Sequence, residues 1–385
     1  MEVNNLKIVH IIPNLAQGGA ESQLEKLVYY SKGKNVENII VSLKNEQTPL
    51  LKKIQGSGVT VLCLDFSGFG MFLSFFKLCR LLKAFDTPTM VIQCWMYHAN
   101  FFGLLAAIFT GLSNKVVWNI RRTELPSGLT GVFSKLSAKL SFICKVNIVC
   151  CAEAAKNSHV DAGYNSENML VFHNGIDVEQ FQPSNKNKKL FRKELGLSES
   201  DFIIGMVGRY APIKGHLYLL QAFKHVVDNN KPDRPSIKLV LIGRGIDNAD
   251  VLQPLLNDPK LREHLVVVSE RTDIYRVMPS FDLLCLPSKS EGFPNVVAEA
   301  MSSGVPALVT DVGDAALIVG TKEMVIPLEN AEIVSDKLIN FSKLPSNRKS
   351  LIAFEARERV IEHFSIGKAW KSYSSLYKKI IEKIN

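Results

Sequence analysis

Thirteen short apolar runs, separated for the most part by helical patterns, restrict this chain more than any other feature of it. In the first half they are Lys7 to Ile12, Asn38 to Leu43, Val59 to Leu64, Met90 to Trp95, Val116 to Ile120, Asn147 to Cys151 and Met169 to Phe172. In the second half they are Phe202 to Val207, Lys238 to Ile242, Leu265 to Val268, Asp282 to Leu286, Pro306 to Val309 and Met324 to Ile326. Continuous rather than alternating hydrophobicity fits strands covered on both faces, as in parallel sheets, and parallel strands need crossover helices. The expected class is α/β, with two doubly wound, Rossmann-like domains that bind ligands at the carboxyl ends of their strands. A chain of 385 residues has room for two such cores. The expected boundaries are 1–180 and 181–385, with Pro183 to Lys189 as a polar linker. The final helical pattern, carrying Trp370, Tyr373, Tyr377, Ile381 and Ile384, is a candidate to cross back onto the first domain.

The chemistry concentrates where strand-like runs give way to helices. After Asp282 to Pro287 comes Ser290-Glu291-Gly292-Phe293-Pro294-Asn295-Val296-Val297-Ala298-Glu299-Ala300. Pro294 suits a first helical turn, and the N–H groups of residues 295 to 297, with the positive end of the helix dipole, form an anion seat. Glu291 and Glu299 bracket it; neither carboxylate favours a bare phosphate, so each is expected to accept from hydroxyls. A phosphate lying between two polyols describes a sugar nucleotide. After Phe202 to Val207, the loop Gly208-Arg209-Tyr210-Ala211-Pro212-Ile213-Lys214-Gly215 places two cations where both heads can reach one anion. In the first half, Gly18-Gly19 opens a helix after the first strand, and His98 sits at a strand-to-helix junction with Tyr97 and Asn100 beside it. Arg121 and Arg122 follow another strand and could meet an anionic acceptor.

The pattern Glu-Gly-Phe-Pro-Asn-x-x-x-Glu-Ala-Met-x-x-Gly-x-Pro, residues 291–306, closely resembles the signature of family 4 glycosyltransferases, which share the two-domain GT-B fold with an inter-domain cleft. Gly-Arg-x-x-x-x-Lys-Gly at 208–215 resembles that family's pyrophosphate clamp. His173-Asn174-Gly175-Ile176-Asp177 resembles its inter-domain hinge, with histidine in place of the usual proline. The resemblance implies a retaining enzyme that moves a hexosyl or N-acetylhexosaminyl unit from a nucleotide sugar, a UDP-sugar being the expected donor, to a glycan or lipid-linked acceptor in surface polysaccharide synthesis. Arg209 and Lys214 would then hold the departing diphosphate and Glu291 the donor sugar, with His98 reaching the sugar from the other domain. Glu299 would hold the ribose; Gly292, Phe293, Asn295 and Val296 complete the donor seat. The family's glycine loop implies that Gly18 and Gly19 face the diphosphate and acceptor. The loop Arg271-Thr272-Asp273 would meet the nucleobase largely through backbone. No Asp-x-Asp pair is present to hold a cation on the diphosphate, so activity without metal, and no cofactor, is expected.

Other classes are weaker. A nicotinamide oxidoreductase lacks its Gly-x-Gly-x-x-Gly fingerprint here, while a sugar-nucleotide epimerase of the same fold and a non-catalytic subunit stay open at this stage. The net charge of +9 raises nucleic acid as a partner, yet no nucleic-acid motif accompanies it. Seven cysteines without a Cys-x-x-Cys pair read as reduced core thiols and point to the cytoplasm. Between residues 66 and 145, nine Lys/Arg face two acids. Two amphipathic candidates lie there, Gly70 to Lys83 and Leu129 to Lys145, so a peripheral place on the inner face of a membrane is a further expectation.

Overall fold

A computed structural model describes residues 5–16, 18–68, 70–229 and 236–384; Gln17 of the glycine loop and the terminal residues of the expected domains lie outside them. The chain divides into two compact units, Met1–Gly175 with Ile366–Asn385, and Ile176–Ser365. The first unit holds a seven-stranded parallel sheet of β1 (Leu6–Ile12), β2 (Val36–Ser42), β3 (Thr60–Cys63), β4 (Met90–Trp95), β5 (Val116–Ile120), β6 (Asn147–Cys150) and β7 (Met169–Val171). Its order is β3-β2-β1-β4-β5-β6-β7. The second holds six parallel strands, β8 (Phe202–Val207), β9 (Ile237–Ile242), β10 (Leu265–Val268), β11 (Leu283–Leu286), β12 (Ala307–Thr310) and β13 (Val325–Ile326), in the order β10-β9-β8-β11-β12-β13. All thirteen expected runs are strands.

Strand order matters for function because each sheet winds outward in both directions from one pair of strands. In the first unit that pair is β1 and β4, in the second β8 and β11. Loops leaving such a pair diverge to opposite faces and open a crevice at the strands' carboxyl ends.

The closing helix Ile366–Ile384 belongs to the first unit's core. Tyr373, Leu376, Tyr377, Ile380 and Ile381 are buried there with Leu24, Leu27, Val91 and Val117. This explains two polar residues inside fully buried strands: Gln93 of β4 accepts from the Tyr377 hydroxyl at 2.9 Å, and Asn119 of β5 donates to Tyr373 Oη at 2.7 Å. Arg121 joins them, donating to Tyr373 Oη at 2.8 Å and to the Phe172 carbonyl at 3.1 Å.

The linker expected at Pro183 to Lys189 is instead the start of a helix, Asn185–Glu194. Its polar first turn shows no apolar period, but Ser184 caps it by accepting from Asn187 N–H, and its far end is anchored. Buried Arg192 reaches Asp282 at 2.7 Å and the Asp201 carbonyl at 3.0 Å.

His10, buried within β1, gives the first unit a pH dependence. Trp95 Nε1–H donates to His10 Nδ1 at 3.2 Å, so Nδ1 must accept; the other ring nitrogen faces Asn38 Oδ1 at 3.1 Å and carries the proton. The neutral ring satisfies both partners. Burial, opposed by the Asn38 hydrogen bond, pushes its pKa down from 6.5 to about 4. With the folded pKa below the unfolded one, this contribution is complete above pH 6.5 and lost as pH falls toward 4, up to roughly 3 kcal/mol. Urea denaturation is expected to show that loss between pH 7 and pH 4.5, and His10→Gln to flatten the curve; an unchanged slope would place the proton uptake elsewhere.

Candidate active site

In the second unit the loops after β8 and β11 are locked backbone to backbone. Gly215 takes φ +78°, and a Cβ there would lie 2.2 Å from the Pro287 carbonyl oxygen, so only glycine permits the approach. Two residues earlier, the Ile213 carbonyl accepts from Lys289 N–H at 2.7 Å. These contacts carry Lys214 onto Glu291: its ammonium donates to both carboxylate oxygens, at 2.7 and 2.9 Å. Ser288 Oγ donates to the same carboxylate at 2.7 Å.

The 291–294 loop is buttressed from the far side as well. Gly313 takes φ +56°, and a Cβ there would stand 2.4 Å from the Glu291 carbonyl oxygen, while Asp314 N–H donates to the Gly292 carbonyl at 2.8 Å. Phe293 is buried against Phe364, ring centroids 5.5 Å apart. The helix that follows is Asn295–Ser302, with Pro294 as its N-cap rather than its first residue. Val297 N–H turns back to the Pro294 carbonyl at 3.1 Å, which removes it from the expected donor set. The first-turn N–H groups of Asn295 and Val296 stand at the carboxyl end of β11, and half-buried Glu299 lies one turn into the helix.

Charge in this crevice is unevenly committed. Lys214 is neutralised by Glu291, whereas Arg209 is exposed and forms no ion pair among the described residues. His216, just beyond Gly215, adds none: burial, reinforced by the Lys214 charge, pushes its imidazole down to about 4. Arg271 is fully engaged, by Asp273 at 2.8 and 2.9 Å and by Glu194 at 2.6 Å, so the 271–273 loop offers a ligand its backbone more than its side chains.

In the first unit, Gly18 is the N-cap of the helix Gly19–Ser31 that follows β1, and His98 lies in the first turn of the helix Met96–Thr110 that follows β4. They therefore occupy the two loops of that sheet's divergent strand pair. Met96 holds φ +66° at the turn, a left-handed conformation that strains a residue with a side chain. His98 packs on Phe133 at 5.0 Å and is half-buried; burial, then the charge of Lys44, lowers its pKa. Of its neighbours, Tyr97 is buried with its hydroxyl 2.9 Å from His159 Nε2, and Asn100 is buried against Asn119. With Arg121 tied to Tyr373, these three side chains are structural rather than ligand-facing, and Arg122 pairs with Glu124 at 3.6 Å.

Ser288 and Gly313 were missed at the sequence level. Ser288 carries no motif signal, and nothing in the local sequence Asp311-Val312-Gly313-Asp314 announces that Gly313 supports the Glu291 backbone.

Two doubly wound units covering the whole chain make this a GT-B protein. The crystal structure of Anabaena Alr3699/HepE in complex with UDP is 17% identical, and the match covers 97% of this chain and 100% of that one at a TM-score of 0.83. A glycosyltransferase from Rickettsia africae ESF-5 matches at 17% identity, 98% and 99% coverage and the same TM-score. Likeness at such identity is one of fold. Residues 187–359, within the second unit, match the family described as Glycosyl transferases group 1. Among curated relatives, the Escherichia coli UDP-Gal:alpha-D-GlcNAc-diphosphoundecaprenol alpha-1,3-galactosyltransferase is 28% identical over 61% of this chain and 60% of its own length. The Staphylococcus aureus capsular polysaccharide biosynthesis glycosyltransferase CapM is 28% identical over 74% of this chain and 75% of its own.

Proposed function

We propose that the protein is a retaining, metal-independent transferase of family 4, working at the inner face of a membrane. It moves a hexosyl or N-acetylhexosaminyl unit from a UDP-sugar to a glycan or lipid-linked acceptor in surface polysaccharide assembly. The observation that carries this is the Lys214–Glu291 pair at the divergent strand ends, beside the first turn of Asn295–Ser302. Support for the donor and acceptor classes comes from relatives named for a UDP-Gal donor, a diphosphoundecaprenol acceptor and capsular polysaccharide.

The division of labour follows from the donor inventory. An ammonium has three N–H groups; Glu291 takes two of Lys214's, and the third is left for a phosphate oxygen. Charge gathering on the departing nucleoside diphosphate would be met by that N–H, by Arg209 and by the N–H groups of Asn295 and Val296. Glu291, held in register by Lys214 and Ser288, would accept from hydroxyls of the transferred sugar, and Glu299 from the ribose. Gly292 and Phe293 shape the wall of the seat. Gly18, Gly19 and neutral His98 would serve the sugar and acceptor from the first unit.

A thermal-shift panel of sugar nucleotides tests the donor class. At about one hundred times Kd the bound donor should add roughly 2.7 kcal/mol, and only UDP-sugars are expected to do so. Transfer to a lipid-linked acceptor should persist in EDTA and give product with the donor's anomeric configuration. Restoration of lost activity by magnesium or manganese would overturn metal independence, and an inverted product the retaining outcome.

A further inference from the structure

The helix Gly128–Cys144 is inside out. Its buried positions are Gly131, Ser134, Ser137, Ala138 and Ser141, while Leu129, Val132, Leu136, Phe142 and Ile143 face outward. Folding normally sorts large apolar side chains inward. Here Ser134 bonds Tyr164 Oη at 3.0 Å and Ser141 Oγ accepts from Asn165 N–H at 2.9 Å, so the small polar face is the one fixed to the unit. The same holds at the start of Gly70–Phe85, where Phe72 and Leu73 stand outward. Leu129 is 79% exposed, Ile143 76%, Leu73 75%, Phe109 72% and Phe72 70%.

These residues are one surface. Phe72 meets Phe76 at 5.0 Å, Phe76 meets Phe75 at 5.9 Å, and Phe75 meets Phe109 of the helix Met96–Thr110 at 5.5 Å. Phe101 of that helix meets Phe133 of Gly128–Cys144 at 5.1 Å. Monomeric soluble proteins seldom leave so many large apolar groups together in water. Exposed cations rim them: Lys77, Arg80 and Lys83 on the first helix, Lys135 and Lys139 on the third. A protein partner's interface is depleted in lysine at its core. Interfacial membrane helices instead interleave Phe and Leu with Lys, whose ammonium reaches up to phosphate while its stem stays with the acyl chains.

We infer that the three-helix plate of Gly70–Phe85, the end of Met96–Thr110, and Gly128–Cys144 is a docking surface for an anionic lipid bilayer. Its apolar side chains enter the headgroup boundary and its lysines and arginine meet lipid phosphates. This deepens the peripheral location proposed above. It can be tested without donor or acceptor, so its failure is separable from a failure of the transferase assignment.

The test is co-sedimentation of the full chain with vesicles of phosphatidylcholine, alone or mixed with phosphatidylglycerol. Binding is expected only with phosphatidylglycerol, falling about fivefold for each of Lys135→Gln and Lys139→Gln. The apolar pairs Leu129→Ser with Ile143→Ser, and Phe72→Ser with Leu73→Ser, should each lower it at least about tenfold. Their circular dichroism and melting should match the parent, because the replaced side chains are solvent-facing. A Phe109→Trp reporter should shift its emission to the blue on the same vesicles. Absence of parent binding, parent-like binding by the apolar variants, or a parent dimer that those variants dissociate would overturn the inference, the last by giving the surface to a second copy of the chain.

Discussion

Replacing Lys214 by alanine is expected to lower kcat by on the order of a hundred- to a thousandfold, the usual consequence of losing one preorganised donor to developing charge. Glu291→Ala should cost a similar amount although it removes the opposite charge. The two side chains are one device, with both carboxylate oxygens on one ammonium and Ser288 holding one of them. Without Lys214, a carboxylate only 9% exposed loses its counterion and its orientation; without Glu291, the ammonium is no longer fixed against the loop. Parts that work as a unit lose their function once, so the double variant should be scarcely slower than the worse single one. Steady-state kinetics with the UDP-sugar that passes the thermal-shift screen, alongside melting curves to exclude unfolding, measures this cycle. Effects that multiply would show that the residues act independently, and parent-like kcat in both singles would move the chemistry away from this crevice.

Why could sequence place so many elements and yet not this pair? Strands were legible because parallel sheets bury both faces, so β8 stands out as an unbroken apolar run, and the sequence locates the ends of β4, β5, β8 and β10 to the residue. Glu291, Glu299 and the first turn at Asn295 were legible through spacing along one continuous segment. Lys214 and Glu291 lie 77 residues apart, and each local pattern assigned its residue a separate ligand. Their contact depends on β8 and β11 being neighbours, and strand order is decided by crossovers that leave no periodic mark in the chain.

The misreadings have a shared cause too. Asn185–Glu194 looked like linker because its stability comes from Ser184 at one end and Arg192 clamped on Asp282 at the other, neither of which is a periodicity. Arg121 looked like a ligand for an anion because a cation after a strand often is one. The structure spends its guanidinium on Tyr373, more than 250 residues later, a partner no local window contains. The outward face of Gly128–Cys144 could be suspected from composition, but which face is buried is settled only by the serines that bond inward.

The closing helix carries the second large effect. Tyr377→Ala is expected to destabilise the first unit by about 3–5 kcal/mol, from the void left by a fully buried ring. Its cost adds to that of stranding Gln93, whose side-chain oxygen accepts the Tyr377 hydroxyl inside a strand with no access to water. Tyr377→Phe separates the two parts: the ring stays, the hydroxyl goes, and roughly 1–3 kcal/mol should remain as the price of the unmet acceptor. Tyr373→Phe strands two donors, from Asn119 and Arg121, and should therefore cost more than Tyr377→Phe. Urea denaturation orders these variants, and hydrogen exchange locates the damage. In Tyr377→Ala, protection should fall across β4, β5 and the helix Gly19–Ser31, which share its core, before it falls in the strands of the second unit. Equal loss in β8 and β9 would mean that the helix stabilises the chain as a whole and that its membership of the first core has no energetic meaning.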